Sequence, residues 1–283
     1  MSIRERTLNI QLSPFVKIGL TSVALVGLLT ACASTPAATS TPAVTETPSA
    51  AAAPAAWSYD GANGPDNWAT LDPAYATCAD GSAQSPIDIT GPAATDLKNI
   101  AFSYTAGEAG IFNNGHTVEA EPLTEGENSI ELDGVSYPFL QFHFHAPSEH
   151  EVNGERFPLE VHFVHKTEDG KIAVVGILVK EGEANAAWQT FVEKIAAATE
   201  DPEATVTELD WSTLLPAVQT TYRYDGSLTT PGCSEGVKWN VMTEPITMSA
   251  EQIAAFVGAY PNNSRPVQPL DGRAIAQDST PNE

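Results

Sequence analysis

The chain is poor in positive charge. Of its 283 residues, 13 are Lys or Arg and 36 are Asp or Glu, which gives a formal charge of −23 at pH 7. Nucleic acids are bound through basic surfaces that neutralise phosphates, so DNA and RNA are excluded as the main partner. Cysteine is scarce too, with three residues, while 21 Pro and 20 Gly favour many turns over a helical bundle. A hydrophobic content of 42% excludes a chain that is disordered throughout.

No hydrophobic run is long enough to span a bilayer comfortably. The longest, residues 18–29, follows three basic residues and is typical of a signal-peptide core. It ends in Leu-Thr-Ala-Cys, which resembles a bacterial lipobox, so residues 1–31 are predicted to be removed and Cys32 to be lipidated. The alternative is an ordinary secretory signal cleaved after Ala31 or Ala33.

Three further segments follow the signal. Residues 32–56 are predicted to hold the lipidated Cys and a tether of mostly Ala, Ser, Thr and Pro, residues 57–276 to form one folded domain, and residues 277–283 to form a flexible tail. Removal of residues 1–31 leaves 10 basic and 35 acidic residues, a formal charge of −25. So acidic a protein needs a covalent anchor to stay on an anionic membrane. We therefore expect a cell-envelope lipoprotein facing the periplasm or exterior, or, with the alternative signal, a secreted soluble protein.

Short β-type runs punctuated by Gly, Pro, Asn and Asp dominate the domain. They lie at 100–104, 137–145, 159–165, 172–180 and 237–242. Two segments, 184–198 and 249–257, have helical spacing, and Ser249 is a suitable N-cap. The pattern predicts a mainly β (α+β) single domain, built on a large, mostly antiparallel central sheet with a few peripheral helices.

All six histidines fall within one window of about fifty residues. In the strand-like run 137–145, alternation places Gln141, His143 and His145 on one face and two Phe on the other. In the run 159–165, Glu160 and His162 share one face, whereas His165 points the opposite way and is not expected to be a ligand.

The Asn153-Gly154 pair between these runs is a strong hairpin signal. A simple hairpin would pair Val152 with Glu155 and would set His145 directly opposite His162. Pro147 and Pro158 would interrupt the ladder, so this register is a hypothesis.

In this register His143, His145 and His162 converge on one point from one face of the sheet. Three neutral imidazoles with one open position describe a catalytic zinc site, in which a coordinated water reaches a pKa of about 7 and supplies hydroxide. Gln141 and Glu160, on the same face, are expected to orient these ligands.

Several segments in order along the chain then resemble the α-class carbonic anhydrases. They are QFHFH at 141–145, PSEH at 147–150, LEVHFVH at 159–165 and SLTTPG at 227–232, with further matches at 57–68, 84–89, 113–116, 172–180, 237–239 and 264–270. The resemblance implies zinc in a conical cleft and reversible hydration of CO₂ to bicarbonate and a proton.

The resemblance also implies a role for each matching residue. His143, His145 and His162 would bind zinc, Gln141, Glu160, His150 and Tyr224 would support them, and Arg265 would be structural. Glu149 and Thr229 would orient the nucleophile, and His116 would shuttle protons. An apolar wall for CO₂ would comprise Val164, Val174, Leu228, Val237 and Trp239, facing a polar wall with Tyr59 and Thr230.

Two departures from the family pattern lie near the site. Ala146-Pro147 follows the His-x-His motif where the family often has Trp-Gly, and Pro231-Gly232 stands where many members have two prolines. Neither departure removes a catalytic group.

Two other interpretations differ in their use of Glu149. The spacing His143-x-His145-x₃-Glu149 also fits a cupin metal oxygenase, in which Glu149 would bind iron or manganese. The second interpretation is a surface-anchored zinc-binding or adhesion module without turnover. The Thr229–Glu149 pair and His116 argue against it, because zinc binding alone requires neither.

The domain contains two cysteines, Cys78 and Cys233. An exported chain reaches an oxidising compartment, so we expect these two to form a disulfide near the loop that carries Thr229.

The lipobox generates the first testable prediction. Expressed in a bacterial host, the full chain should partition into the detergent-rich phase and carry acyl mass on Cys32. Cys32→Ala should become soluble or remain as an unprocessed precursor, because the thiol that accepts the lipid is gone. An unmodified mature N-terminus at Ser34, found by mass spectrometry of the wild type, would instead identify a plain secretory signal.

Overall fold

The structure is a computed structural model and describes residues 55–280. The predicted signal peptide, Cys32 and most of the tether lie outside the described residues. Sixteen strands are present within 55–280. They are β1 Asp88–Ile89, β2 Ala93–Thr95, β3 Ala101–Ser103, β4 Ala106–Asn113, β5 Val118–Pro122, β6 Ser129–Leu132, β7 Val135–His145, β8 Glu151–Val152, β9 Glu155–Arg156, β10 Leu159–Lys166, β11 Ile172–Glu181, β12 Val206–Asp210, β13 Thr221–Ser227, β14 Glu235–Met242, β15 Ile246–Met248 and β16 Ala276–Asp278.

The helices of the described region are short and peripheral to the sheet. They are α1 Trp68–Leu71, α2 Thr77–Asp80, α3 Ala186–Val192 and α4 Ala250–Ala259, with short 3₁₀ turns between elements. Helix α4 begins where the sequence predicts, because Ser249 accepts from the Gln252 N–H and Gln252 bonds back to the cap. The helix predicted over 184–198 is wrong in length: α3 ends at Val192, and a separate 3₁₀ turn covers Ile195–Ala197.

One sheet of thirteen strands organises the domain. Its main path runs β12-β4-β5-β7-β10-β11-β14-β13-β16-β2, with β3, β6 and β15 attached to it, while β1, β8 and β9 form a small second sheet. Most pairs are antiparallel, and the parallel ones are β1 with β8, β11 with β14, β11 with β15, and β16 with β2. The predicted large, mostly antiparallel sheet with few helices is confirmed.

The two faces of the sheet bury different apolar clusters. The larger cluster contains Phe142, Phe144 and Phe163, against which α3 and α4 pack through Phe191 and Phe256. The smaller cluster lies on the opposite face and includes Val164, Val174, Val237 and Trp239. The alternation of β7 therefore places its phenylalanines in the main core and its histidines on the other side.

The predicted register between the histidine strands is wrong by two residues. The turn at Asn153-Gly154 does pair Val152 with Glu155, but β10 pairs with β7 so that His162 lies opposite His143 and Glu160 opposite His145. Between these pairings the chain leaves the large sheet, since Pro147 and Pro158 carry no N–H for the ladder and β8 pairs with β1 instead. A shift of two preserves side-chain parity, so the three imidazoles still share one face.

The ends of the domain are tied to its body. A disulfide joins Cys78 of α2 to Cys233, with an S–S distance of 2.06 Å across a sequence separation of 155. The last strand, β16, includes Gln277 and Asp278, two residues beyond the domain end predicted at 276. Within 55–280, no helix has the length and apolarity needed to cross a bilayer.

Candidate metal centre and its cleft

Three imidazoles meet on the face of the sheet opposite the phenylalanines. One nitrogen from each of His143, His145 and His162 lies within 4.8 Å of the others. Their ring centroids are separated by 5.1 Å between His143 and His145, 5.3 Å between His143 and His162, and 4.6 Å between His145 and His162. Strands β7 and β10 hold all three, so the cluster stands on the rigid centre of the sheet.

The second nitrogen of each ring is engaged by an acceptor. His143 Nδ1 donates to Gln141 Oε1 at 2.9 Å, and His162 Nε2 donates to Glu160 Oε1 at 2.9 Å. His145 Nδ1 donates to the backbone oxygen of Asn263 at 2.6 Å, which leaves its buried Nε2 without a hydrogen-bond partner among residues 55–280. A divalent metal binds to ring nitrogens that have a free lone pair, and the buried His145 Nε2 lies close to nitrogens of two further imidazoles. The set of three nitrogen donors therefore fits zinc.

The environment keeps these rings neutral, as metal binding demands. Burial lowers the pKa of His143 well below its ordinary value, and the neighbouring His145 and His162 lower it further. Burial likewise lowers the pKa of His145 to about 4, and it lowers that of His162 despite the opposing charge of Glu160.

A buried hydrogen-bond chain extends from His162 to the first segment of the domain. Glu160 Oε1 also accepts from His150 Nδ1 at 2.7 Å, and His150 Nε2 lies 2.6 Å from the Tyr224 hydroxyl, which lies 2.8 Å from Ser85 Oγ. Burial alone would raise the pKa of Glu160, but the imidazoles of His150 and His162 outweigh it and hold that pKa well below its usual range. The carboxylate therefore stays ionised and orients His162.

Glu149 is buried beside the imidazoles and is tied to the C-terminal part of the domain. Its Oε1 accepts from the Arg265 N–H at 2.8 Å, and its Oε2 lies 4.0 Å from His162 Nδ1 with no hydrogen-bond partner of good geometry within 55–280. Burial raises the pKa of this carboxyl to about 7, while His162, the Arg265 N–H and the nearby Thr229 side chain act to lower it. Glu149 thus lies beside His145 and His162 and near the Thr229 side chain.

His116 lies on the rim of the same cleft, just before β5. A cavity beside the imidazoles is lined by His116, His143 and His145 together with Tyr59 and Thr230. The ring of His116 stacks on Trp57 with centroids 3.6 Å apart and an interplanar angle of 6°. Partial burial lowers the pKa of His116 below its ordinary value.

An apolar group of residues also lies beside the imidazoles. Leu228 packs against the smaller cluster, which supplies Val164, Val174, Val237 and Trp239. The Trp239 ring lies 4.8 Å from that of His162. The residues expected to form the CO₂ wall therefore lie together on the same face of the sheet as the imidazoles. His165 lies across the sheet, buried against Tyr104 and Phe139.

Sequence reasoning missed Asn263, which connects the metal centre to the rim. Besides accepting from His145, Asn263 accepts from the Ala146 N–H at 2.8 Å and donates to the backbone oxygens of Phe144 at 3.0 Å and His116 at 3.1 Å. It is 1% exposed. No local pattern marks it, because each of its partners is more than a hundred residues away in the chain.

Comparison with known proteins identifies the family and the fold. The sequence profile described as eukaryotic-type carbonic anhydrase matches residues 63–279. A carbonic anhydrase of Klebsiella pneumoniae is 41% identical over 226 residues, which cover 78% of this chain and 90% of that protein. The chain belongs to the eukaryotic-type (α) carbonic anhydrase family.

Solved structures of this carbonic anhydrase family agree with the sequence comparison. The α-carbonic anhydrase of Thermovibrio ammonificans, solved with the inhibitor sulfanilamide, is 40% identical with a TM-score of 0.71 and covers 78% of this chain and 99% of its own. Dioscorin, solved with ascorbate, is 33% identical with the same TM-score and covers 78% and 97%.

Carbonic anhydrases of this family are zinc enzymes that hydrate CO₂ reversibly to bicarbonate and a proton, and this chain is one of them. The cupin interpretation of the His-x-His motif is therefore wrong. The second group of possible ligands within 55–280, His150 with Glu160 and His162, shares His162 with the first group and is joined internally by hydrogen bonds to Glu160.

Proposed function

We propose that this carbonic anhydrase binds zinc through His143, His145 and His162 and hydrates CO₂ in the cleft above them. The observation that carries the assignment is the unpartnered, buried Nε2 of His145, which faces two further imidazoles whose other nitrogens are already hydrogen-bonded. When bound, zinc supplies a Lewis acid that makes water nucleophilic near neutral pH.

The residues around the imidazoles would orient the reaction. The Glu149 carboxylate, held by the Arg265 N–H, lies near the Thr229 side chain and would accept from its hydroxyl. A hydroxyl that donates to Glu149 presents its lone pair to the attacking oxygen and so directs that oxygen towards CO₂. The apolar wall of Val164, Val174, Leu228, Val237 and Trp239 would hold a substrate that has no charge to grip.

His116 would carry the released proton from the floor of the cleft to solvent. Its ring lies on the rim, partly exposed, in the same cavity as His143 and His145. Histidine is the side chain whose ordinary pKa suits proton transfer near neutral pH. Thr230 and Tyr59 line the cavity between these residues and would support ordered water along the route.

We further propose that the chain is exported and held at the cell envelope by a lipid on Cys32. The Cys78–Cys233 disulfide supports export, because disulfides persist in oxidising compartments. With a formal charge of −25 after cleavage, the protein would contact the membrane only through that anchor.

The ligand assignment predicts a difference between two neighbouring histidines. His162→Ala should abolish tight zinc binding, because two imidazoles remain, whereas His165→Ala should keep zinc, because His165 lies on the other face of the sheet. Metal analysis after dialysis measures this, and near-UV circular dichroism confirms that both variants are folded. Equal zinc in the two variants would contradict the assignment.

The Thr229–Glu149 pair predicts a loss of turnover without a loss of metal. Thr229→Ala should lower activity by about 10²-fold, the scale of losing one preorganised hydrogen bond, with unchanged zinc content. Thr229→Ser keeps the hydroxyl and should retain most of the activity. If the alanine variant turns over like the wild type, the Thr229–Glu149 pair has no catalytic role.

The proton shuttle predicts a buffer-dependent defect. His116→Ala should lower kcat in weak buffer and leave kcat/KM nearly intact, because attack on CO₂ precedes proton release. Concentrated imidazole should restore much of the loss by carrying the proton in solution. Wild-type turnover by the variant in dilute, imidazole-free buffer would rule out His116 as the shuttle.

A further inference from the structure

We propose that Glu119 is a positioning residue which, acting through Asn114, holds the loop that carries His116 and so keeps the imidazole placed for proton release. The functional half of this inference rests on the shuttle role proposed for His116. Glu119 matched no motif of the sequence analysis.

The loop between β4 and β5 is a tight reversal. Strand β4 ends at Asn113 and β5 begins at Val118. The Asn114 N–H donates to the Thr117 carbonyl at 3.1 Å, and Gly115 has a φ of 88°, a conformation that glycine adopts without strain. His116 therefore sits at the tip of a four-residue turn, and its direction depends on how the turn is held.

The side chain of Asn114 closes this turn from inside. Its Oδ1 accepts from the N–H groups of both His116 and Thr117, each at 2.9 Å. Its Nδ2 donates to Glu119 Oε2 at 3.0 Å. The amide is therefore bonded at both ends, to the turn on one side and to β5 on the other.

Glu119 selects the orientation of that amide. An ionised carboxylate only accepts hydrogen bonds, so it attracts the NH₂ end of Asn114 and turns the oxygen towards the loop. The reversed orientation would point NH₂ at two N–H donors and leave both without an acceptor. Removing the carboxylate removes the element that favours one orientation over the other.

The position of Glu119 in the sheet places it at the cleft. It is the cross-strand partner of His143, and it lines the cavity that also contains Asn114 and His116. Other groups hold the opposite side of the loop: Asn263 Nδ2 donates to the His116 oxygen, and Trp57 stacks on the ring. The Gly115 N–H donates to Asn113 Oδ1 at 2.9 Å, but the N–H groups of His116 and Thr117 depend on Asn114 and hence on Glu119.

Three variants of the full-length enzyme test the proposal at pH 8.5, above the pKa of about 7 to which burial raises Glu119. Glu119→Leu removes the acceptor, whereas Glu119→Gln keeps an oxygen that can accept from Asn114. Glu121→Leu is the matched control, since residue 121 is two positions further along the same face of β5. Amide hydrogen exchange of His116 and Thr117, measured by NMR, reports the loop directly and does not depend on turnover.

We expect Glu119→Leu to raise exchange at both amides and to lower kcat in weak buffer by about two- to tenfold, as loss of one hydrogen bond does. Its kcat/KM and zinc content should be unchanged, and imidazole should restore kcat. Glu119→Gln and Glu121→Leu should resemble the wild type in both measurements.

Unchanged exchange in Glu119→Leu would overturn the proposal, and so would a Gln variant as defective as the Leu variant. Faster exchange with normal kcat would overturn the link between loop and proton release. Failure of the shuttle assignment is separate and shows in His116→Ala, whose turnover in dilute buffer would then equal that of the wild type.

Discussion

The burial of three neutral imidazoles at one point is the constraint on which the rest of the structure depends. A buried ring nitrogen that carries hydrogen must donate, or the fold loses the free energy of an unmade hydrogen bond. Gln141, Glu160 and the Asn263 carbonyl meet this requirement one ring at a time. Each acceptor also selects the tautomer, so the free nitrogens all face a common centre.

The acceptors themselves are fixed by elements from across the chain. Glu160 accepts from the N–H groups of Glu149 and His150 as well as from two imidazoles, so its carboxylate is almost fully bonded. Arg265 donates from its guanidinium to Gln84 Oε1 and to the carbonyls of Ser85 and Cys78. That network ties the first segment of the domain to Arg265, whose N–H binds Glu149. The nearby Cys78–Cys233 disulfide holds the loop after Thr229.

The two faces of the sheet have different roles: the back face forms the main core and the front face carries the site. Phenylalanines on the back face of β7 and β10 pack with α3 and α4 into the larger core, where Phe142 and Phe191 lie 4.8 Å apart. Dense packing on the back face restricts the movement of the strands, and the side chains on the front face are therefore held rigidly too. The rim is held differently, through hydrogen bonds and stacking around His116, which suits a residue that exchanges protons with solvent.

The sequence by itself determined which residues share a face. Alternation in QFHFH and LEVHFVH separates three histidines from the phenylalanines and sends His165 to the far side, and this parity survives any even shift in register. The Asn-Gly turn and the Ser249 cap were also predictable, because each acts over a few residues. Resemblance to the family then pointed to the cleft residues, and the described fold brings them to one face of the sheet.

Only the tertiary structure decided the register of β10 against β7, the length of α3 and the partners of His145 and His116. The register depends on where the chain leaves the sheet, and the strand that captures it, β1, lies some sixty residues earlier. The Asn263 contacts and the Trp57 stack likewise join segments that are far apart in the chain. Local propensity carries no information about such contacts, because they form only when the folded sheet brings the two distant segments of the chain together.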